Sequence, residues 1–129
     1  MRRVTDQYAD SPLECDGLTN VLHFYLARAQ IGHRVMQGYV EGAEGGDGIT
    51  WHRWIAIQTK SGPAIVDYRA RMWLEERADV PHGVFLEEEY PHIHYQGQEI
   101  EPLSLPESHI RFLLERPDIP QEWKEKYHL

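Results

Sequence analysis

Three side chains of this 129-residue chain are of the types that thiol-based acyl transfer requires: Cys15, His52 and Asp67. In that chemistry the thiolate is the nucleophile, and a helix N-terminus or a neighbouring imidazolium favours the thiolate form. The histidine delivers a proton to the leaving group, and the aspartate fixes the tautomer and orientation of the imidazole. Cys15 is the only cysteine, which excludes an intramolecular disulfide and a cysteine-rich zinc site.

A helix is the element expected to position Cys15. Residues 11–14 (Ser-Pro-Leu-Glu) form a capping box with proline at the first helical position. The residues that follow are apolar at helical spacing, and Gly32 is a suitable C-terminal stop. The pattern predicts a helix over about residues 12–31, with Cys15 at the end of its first turn.

Strands are expected to position His52 and Asp67. Residues 34–40, 51–58 and 64–68 are rich in β-forming side chains. A Lys-Ser-Gly-Pro turn separates the second and third runs, which indicates an antiparallel hairpin. His52 then lies near the start of one strand and Asp67 near the end of the next, so the two side chains can be neighbours.

The other segments have weaker patterns. Residues 42–48 contain four glycines and are expected to form a loop. One or two helical turns are predicted at 72–77, and a loop, with or without a short strand, at 83–95. A C-terminal helix is predicted at 107–115, where apolar residues again recur at helical spacing.

Each chemical interpretation has a structural alternative. A single cysteine on a helix is most often a small buried apolar residue. His52 lies between Trp51 and Trp54 and fits a partly buried strand position. Asp67 fits the end of a strand before a turn. The two tryptophans fit the core better than the wall of an active-site cleft, although one of them could form such a wall.

Three further features concern metal binding and charge. His92 and His94 would face the same side of a strand and could share a metal, but without a third ligand at a telling spacing, exposed histidines are favoured. The run Glu87–Glu89 indicates a solvated face, or a preference for basic peptide side chains if it lines a cleft. Asp16 is expected to stabilise the helix N-terminus through the macrodipole, although its charge opposes a neighbouring thiolate.

Composition limits the classes of partner. The hydrophobic fraction of 41% suffices for one packed domain over residues 1–129. A formal net charge of −8 disfavours binding to nucleic-acid phosphates. No apolar run approaches the roughly 20 residues of a membrane helix, and no apolar segment of a secretory signal is visible at the start. We therefore expect no membrane partner and a cytoplasmic location.

Five pieces of the sequence, in order, resemble the core of the transglutaminase-like superfamily of papain-type cysteine enzymes. They are a cysteine at the start of a helix, a helix ending in Gly, a strand finishing in Gly-Tyr-Val, an H-x-W strand and a strand ending in Val-Asp. In this sequence they are Cys15, Arg28 to Gly32, residues 38–40, residues 52–54 and residues 66–67. The resemblance covers about residues 11–70, about half of the chain.

This resemblance implies an α+β fold in which the N-terminal helix carrying the cysteine packs on a small antiparallel sheet. It also implies a catalytic triad, defined as Cys15, His52 and Asp67, and acyl-enzyme chemistry on a peptide or protein amide. Hydrolysis is favoured over transfer to an amine, and no metal or organic cofactor is expected. The alternative is a catalytically silent domain of this fold that binds a peptide or protein partner.

An enzyme of this kind needs an oxyanion hole beside its cysteine. The backbone N–H of Cys15 is one expected donor. Gln7, Tyr8 and Trp51 are the candidates for a second donor, and the sequence does not choose among them.

Overall fold

The computed structural model describes residues 2–9, 13, 15–42, 49–70, 80–102, 104–115 and 125–126. Over these residues the chain is α+β, which confirms the predicted class. The elements are α1 (Arg2–Thr5), a 3-10 turn (Asp6–Tyr8), α2 (Cys15–Arg28), β1 (Arg34–Gly42), β2 (Ile49–Thr59), β3 (Gly62–Asp67), β4 (Gly83–Leu86), a second 3-10 turn (Glu87–Glu89), β5 (Ile93–Ile100) and α3 (Glu107–Glu115). Within the described residues no helix is long and apolar enough to cross a membrane.

The five strands form one antiparallel sheet in the order β4-β3-β2-β1-β5. The predicted hairpin is present, because β2 and β3 pair up to the turn, where Thr59 lies opposite Gly62. Gly62 has a φ of 121°, a conformation that glycine adopts readily because it has no Cβ. β1 lies between β2 and β5, so it is an interior strand of the sheet although it comes first in the sequence.

The two faces of the sheet bury different clusters. Side chains alternate between faces along a strand, and directly paired residues share a face. Val35, Ile55 and Val66 lie on what we call the helix face, where they pack with α2 and α3. The opposite, inner face carries a second buried cluster. Its buried members are Val40, Trp54, Ile65, Ala70, Val80 and Phe85.

The sheet curls around its inner face. Phe85 on β4 and Tyr95 on β5 belong to the two edge strands, yet their ring centroids are 6.0 Å apart. Neighbouring strands are spaced by about 4.8 Å, so the edges of a flat five-stranded sheet would lie about 19 Å apart. The curl therefore brings side chains from the edge strands together over the middle of the sheet.

Helix α2 is shorter than the sequence predicts. It ends at Arg28 rather than near residue 31, because Gln30 takes the left-handed conformation with a φ of 60°. The N–H of Ile31 donates to the carbonyl of Leu26 at 2.9 Å, and the N–H of Gln30 donates to that of Ala27. These are the bonds of a Schellman motif. The prediction that the helix ends at Gly32 was therefore wrong, because α2 ends before that residue.

The start of α2 also differs from the prediction. The helix begins at Cys15, so the cysteine is its first residue rather than the end of its first turn. The capping box at 11–14 lies outside the described residues except for Leu13, which is 3% exposed and belongs to the core on the helix face.

The short strand allowed for within residues 83–95 is present as β4, but the start of β5 at Ile93 was not predicted. β1 and β2 are longer than predicted, and β3 begins and ends earlier. Helix α3 at 107–115 is confirmed. The predicted helical turns at 72–77, and the predicted loop beyond Gly42, lie outside the described residues.

Candidate active site

His52 and Asp67 form a buried hydrogen-bonded pair. Nε2 of His52 lies 2.7 Å from Oδ2 of Asp67, and the two residues are 0% and 3% exposed. Ile55 pairs with Val66 on the helix face. His52 is three residues from Ile55, and Asp67 is one residue from Val66. Because side chains alternate between faces along a strand, both point to the inner face. The hairpin thus brings the two predicted residues together on adjacent strands.

Cys15 interacts with the His52 ring. Nδ1 of His52 is buried and makes no hydrogen bond of standard geometry to the part of the chain that the structure describes. Cys15 is partly exposed, and its side chain interacts with His52 strongly enough to affect the imidazole's protonation. His52 therefore interacts with both a thiol and a carboxylate.

This environment favours the charged form of His52. Burial lowers the pKa of the ring, but the charge of Asp67, its hydrogen bond and the interaction with Cys15 together outweigh burial and raise the pKa to about 10. At neutral pH the ring is then an imidazolium with a proton on each nitrogen. Such a cation beside a cysteine favours the thiolate.

Within the described residues, the carboxylate of Asp67 accepts three hydrogen bonds. Oδ2 accepts from Nε2 of His52 and, at 2.8 Å, from the hydroxyl of Tyr95. Oδ1 accepts from the backbone N–H of Arg69 at 2.9 Å. Tyr95 was missed by the sequence analysis, because it falls in the segment predicted to be a loop. An aromatic residue on a strand is a weak signal, and nothing local connects it with Asp67.

Trp54 packs between His52 and Tyr95 on the inner face. Its ring lies at 24° to that of His52, with centroids 6.2 Å apart, and meets Tyr95 edge-on at 5.1 Å. At 3% exposed it is a core residue, as the sequence favours. Trp51, by contrast, is 69% exposed, so the core interpretation was wrong for it. Residues three apart on a strand face opposite sides, and Trp51 borders a surface groove that Tyr39 and Tyr95 also line.

Two glycines make room for Trp54. Gly38 on β1 and Gly97 on β5 are paired directly. A Cβ on Gly97 would lie 2.4 Å from the carbonyl oxygen of Gln37 and 2.8 Å from the Trp54 ring. A Cβ on Gly38 would lie 2.1 Å from the carbonyl oxygen of Gln96. A side chain at either position would push the strands apart or displace the ring.

Arg69 holds the segment that leads into Cys15. Arg69 is 7% exposed. Its Nε donates to the carbonyl of Leu13 at 2.7 Å, two residues before the cysteine. One terminal nitrogen donates to the carbonyl of Ala9 at 2.8 Å. No local pattern in the sequence indicates this role for Arg69, although it lies only two residues after Asp67. These bonds connect the end of β3 directly to the start of α2.

Tyr68 connects the same point to the N-terminal turns. Its hydroxyl hydrogen-bonds with Thr5 Oγ1 at 2.8 Å and donates to the carboxylate of Asp6. Three consecutive residues after Val66 thus hold three different parts of the site. Asp67 holds His52, Tyr68 holds the N-terminal turns, and Arg69 holds the approach to Cys15.

The two oxyanion candidates of the N-terminal region make other contacts. Gln7 is exposed, and its amide donates to the carbonyl of Val4 at 3.1 Å. Tyr8 stacks on Tyr25 of α2, with centroids 4.6 Å apart. Burial and a hydrogen bond with Tyr25 raise the pKa of Tyr8 to about 12. None of these contacts is with the triad, so the structure does not select either residue as an oxyanion donor.

The two histidines proposed for a metal site do not lie on one strand. His92 is in the turn before β5 and His94 is an exposed residue of β5. Among the described residues, no group of three histidine, cysteine, aspartate or glutamate side chains is arranged to hold a metal. Glu87–Glu89 form an exposed 3-10 turn, in agreement with the solvated-face interpretation. The side chain of Asp16 lies outside what the structure describes.

Comparison of the chain with protein-family models, with curated proteins and with solved structures finds no match in any of the three. A function for this chain must therefore be argued from its own residues. The feature with the clearest chemical meaning is the buried His52–Asp67 pair beside Cys15.

Proposed function

We propose that this chain is a small transglutaminase-like cysteine enzyme that hydrolyses a peptide or protein amide through an acyl-enzyme on Cys15. One observation carries the proposal. His52 is fully buried, its Nε2 lies 2.7 Å from the carboxylate of Asp67, and its ring also interacts with Cys15, the first residue of α2. A core histidine needs no such arrangement of thiol, imidazole and carboxylate.

The proposed reaction has two stages, formation of a thioester on Cys15 and hydrolysis of that thioester. The Cys15 thiolate attacks the carbonyl carbon, and the resulting tetrahedral intermediate collapses by breaking the C–N bond. The departing amine takes the proton from Nδ1 of His52, which leaves a neutral imidazole and a thioester on Cys15. Water then attacks the thioester, His52 takes the proton of that water, and the thiolate is restored. Asp67 keeps the ring oriented throughout.

The pH dependence of Cys15 alkylation tests this proposal. We would measure the rate with iodoacetamide from about pH 4 to about pH 9 in the intact protein and in His52→Ala. An imidazolium beside the thiol makes the cysteine react rapidly at about pH 6, whereas an ordinary thiol reacts appreciably only near pH 8. His94→Ala is the matched control, because it removes an exposed histidine from β5.

The expected result is rapid labelling near pH 6 in the intact protein and in His94→Ala, and slow labelling in His52→Ala. A thiol that is inert below about pH 8 in all three proteins would exclude the proposed chemistry and favour the silent binding domain. Circular dichroism of each variant would establish that the fold is retained.

A further inference from the structure

Tyr95 reaches Asp67 from a distant part of the sheet. It belongs to the edge strand β5, which β1 and β2 separate from β3. The curl of the sheet nevertheless brings its hydroxyl to within 2.8 Å of Oδ2 of Asp67, the same oxygen that His52 contacts. The ring is fixed by edge-on packing against Trp54. Such a contact orders side chains from three strands around one carboxylate oxygen.

The hydrogen bond can run in only one direction. An ionised carboxylate has no proton to give, so the Tyr95 hydroxyl is the donor. Burial, the charge of Asp67 and this hydrogen bond raise the pKa of Tyr95 well above its usual value. The phenol therefore stays protonated and remains a donor over the whole pH range in which a cysteine enzyme works.

We propose that Tyr95 is a positioning residue for the reaction proposed above, holding the carboxylate of Asp67 directed at His52. Among the described residues, Oδ2 would otherwise have His52 as its only donor, while Oδ1 is held by the backbone N–H of Arg69. A carboxylate with both oxygens held by donors does not rotate freely away from the imidazole. This inference rests on the proposed function and adds a fourth side chain to it.

Several elements surround Asp67. The groups on its two oxygens come from β2, β5 and the backbone after β3, and β4 places the uncharged Gly83 opposite it. The guanidinium of Arg69 donates to backbone carbonyls, and Cys15 interacts with the imidazole of His52. Within the part of the chain that the structure describes, loss of the Tyr95 hydroxyl therefore removes one of three hydrogen bonds that hold the carboxylate.

Tyr95→Phe tests the inference, because it removes the hydroxyl and retains the ring. Tyr90→Phe is the matched control, since Tyr90 also packs against the cluster on the inner face, in contact with Phe85. The first measurement is an NMR titration of the His52 ring, assigned with His52→Ala. The second is the pH profile of Cys15 alkylation by iodoacetamide.

A hydrogen bond to a charged group is strong enough to move a titration by about one pH unit. The pKa of the His52 ring is raised to about 10 in the intact protein in spite of burial, mainly by Asp67. We expect this pKa to fall by about that amount in Tyr95→Phe, with slower Cys15 alkylation near pH 6, and we expect both to be unchanged in Tyr90→Phe. Equal titrations in the two variants would overturn the inference. So would a moved His52 titration with an unmoved alkylation profile, because Tyr95 would then be structural only.

Failure of the underlying function has a different signature. If the intact protein and His52→Ala are alkylated with the same pH profile, then the triad chemistry is wrong, and the role of Tyr95 falls with it. If the intact protein depends on His52 while Tyr95→Phe behaves as Tyr90→Phe does, only the inference about Tyr95 is wrong.

Discussion

Replacing Asp67 with asparagine should change how the stability of this protein depends on pH. Asp67→Asn keeps the size of the side chain and removes its charge. In the intact protein the pKa of His52 is raised from 6.5 to about 10 in spite of burial, mainly by the charge of Asp67. Without that charge, burial dominates, and we expect the pKa of His52 to fall below 6.5 in the variant.

The size of the effect follows from the pKa values. A folded-state value of about 10 against 6.5 in the unfolded chain corresponds to about 5 kcal/mol of stabilisation. Because the folded value is the higher one, this stabilisation is fully present below about pH 6.5 and is lost as the pH rises through about 10. The variant lacks it. The pH-dependent part of the stability difference should therefore be about 4 kcal/mol at pH 7 and close to zero above pH 10.

Two measurements follow this difference. Urea unfolding of both proteins at several pH values between about 6 and 10 gives the free energy of unfolding. Subtracting the two curves removes the contribution of groups that titrate alike in both proteins. An NMR titration of the His52 ring gives its pKa directly. Two parallel stability curves would refute the reasoning, and so would a His52 ring that titrates near 6.5 in the intact protein.

Three further substitutions have distinct expected effects. Gly97→Ala should lower the free energy of unfolding by about 1–3 kcal/mol in a urea titration, because its Cβ meets the Trp54 ring, whereas Gly32→Ala, with open space around it, should be nearly neutral. Trp54→Ala should lower the free energy of unfolding by about 3–5 kcal/mol in the same titration, and Trp51→Ala by less than about 0.5 kcal/mol, because of these two residues only Trp54 is buried. Arg69→Ala should lower the free energy of unfolding by about 3 kcal/mol, because it leaves buried carbonyl groups without their donor. It should also slow Cys15 alkylation. An unchanged melting temperature would contradict this prediction.

The elements with a clear apolar period were predictable. Leu18, Val21 and Leu22 recur at helical spacing and are all buried in α2. The β2–β3 hairpin followed from two β-rich runs around a Gly-Pro turn. The end of α2 was not predictable in the same way, because glutamine rarely takes the left-handed conformation that Gln30 adopts here.

β5 was missed for a physical reason. It is an edge strand, and its residues 96–99 are Gln-Gly-Gln-Glu, all of them exposed. A strand that faces solvent has no alternation of apolar and polar residues to reveal it. No element was therefore predicted for these residues, and backbone pairing with β1 makes them part of a strand.

The order of Cys15, His52 and Asp67 along the chain was enough to propose the site, since a helix and a hairpin fix where each lies. The groups around them were not predictable. Tyr95 is 28 residues from Asp67, and the Leu13 carbonyl is 56 residues from Arg69. Both contacts arise from the curl of the sheet and from the path of the chain into α2, which no local pattern encodes.

The central claim is that Cys15 forms an acyl-enzyme with the help of His52. The most direct test is intact-protein mass spectrometry after mixing with p-nitrophenyl acetate, which transfers its acetyl group to a reactive thiolate as p-nitrophenolate leaves. We predict an acetyl group on Cys15 that forms rapidly near pH 6 and is then lost to water, with both steps much slower in His52→Ala. Acetylation of Cys15 at the same rate in the intact protein and in His52→Ala would contradict the claim.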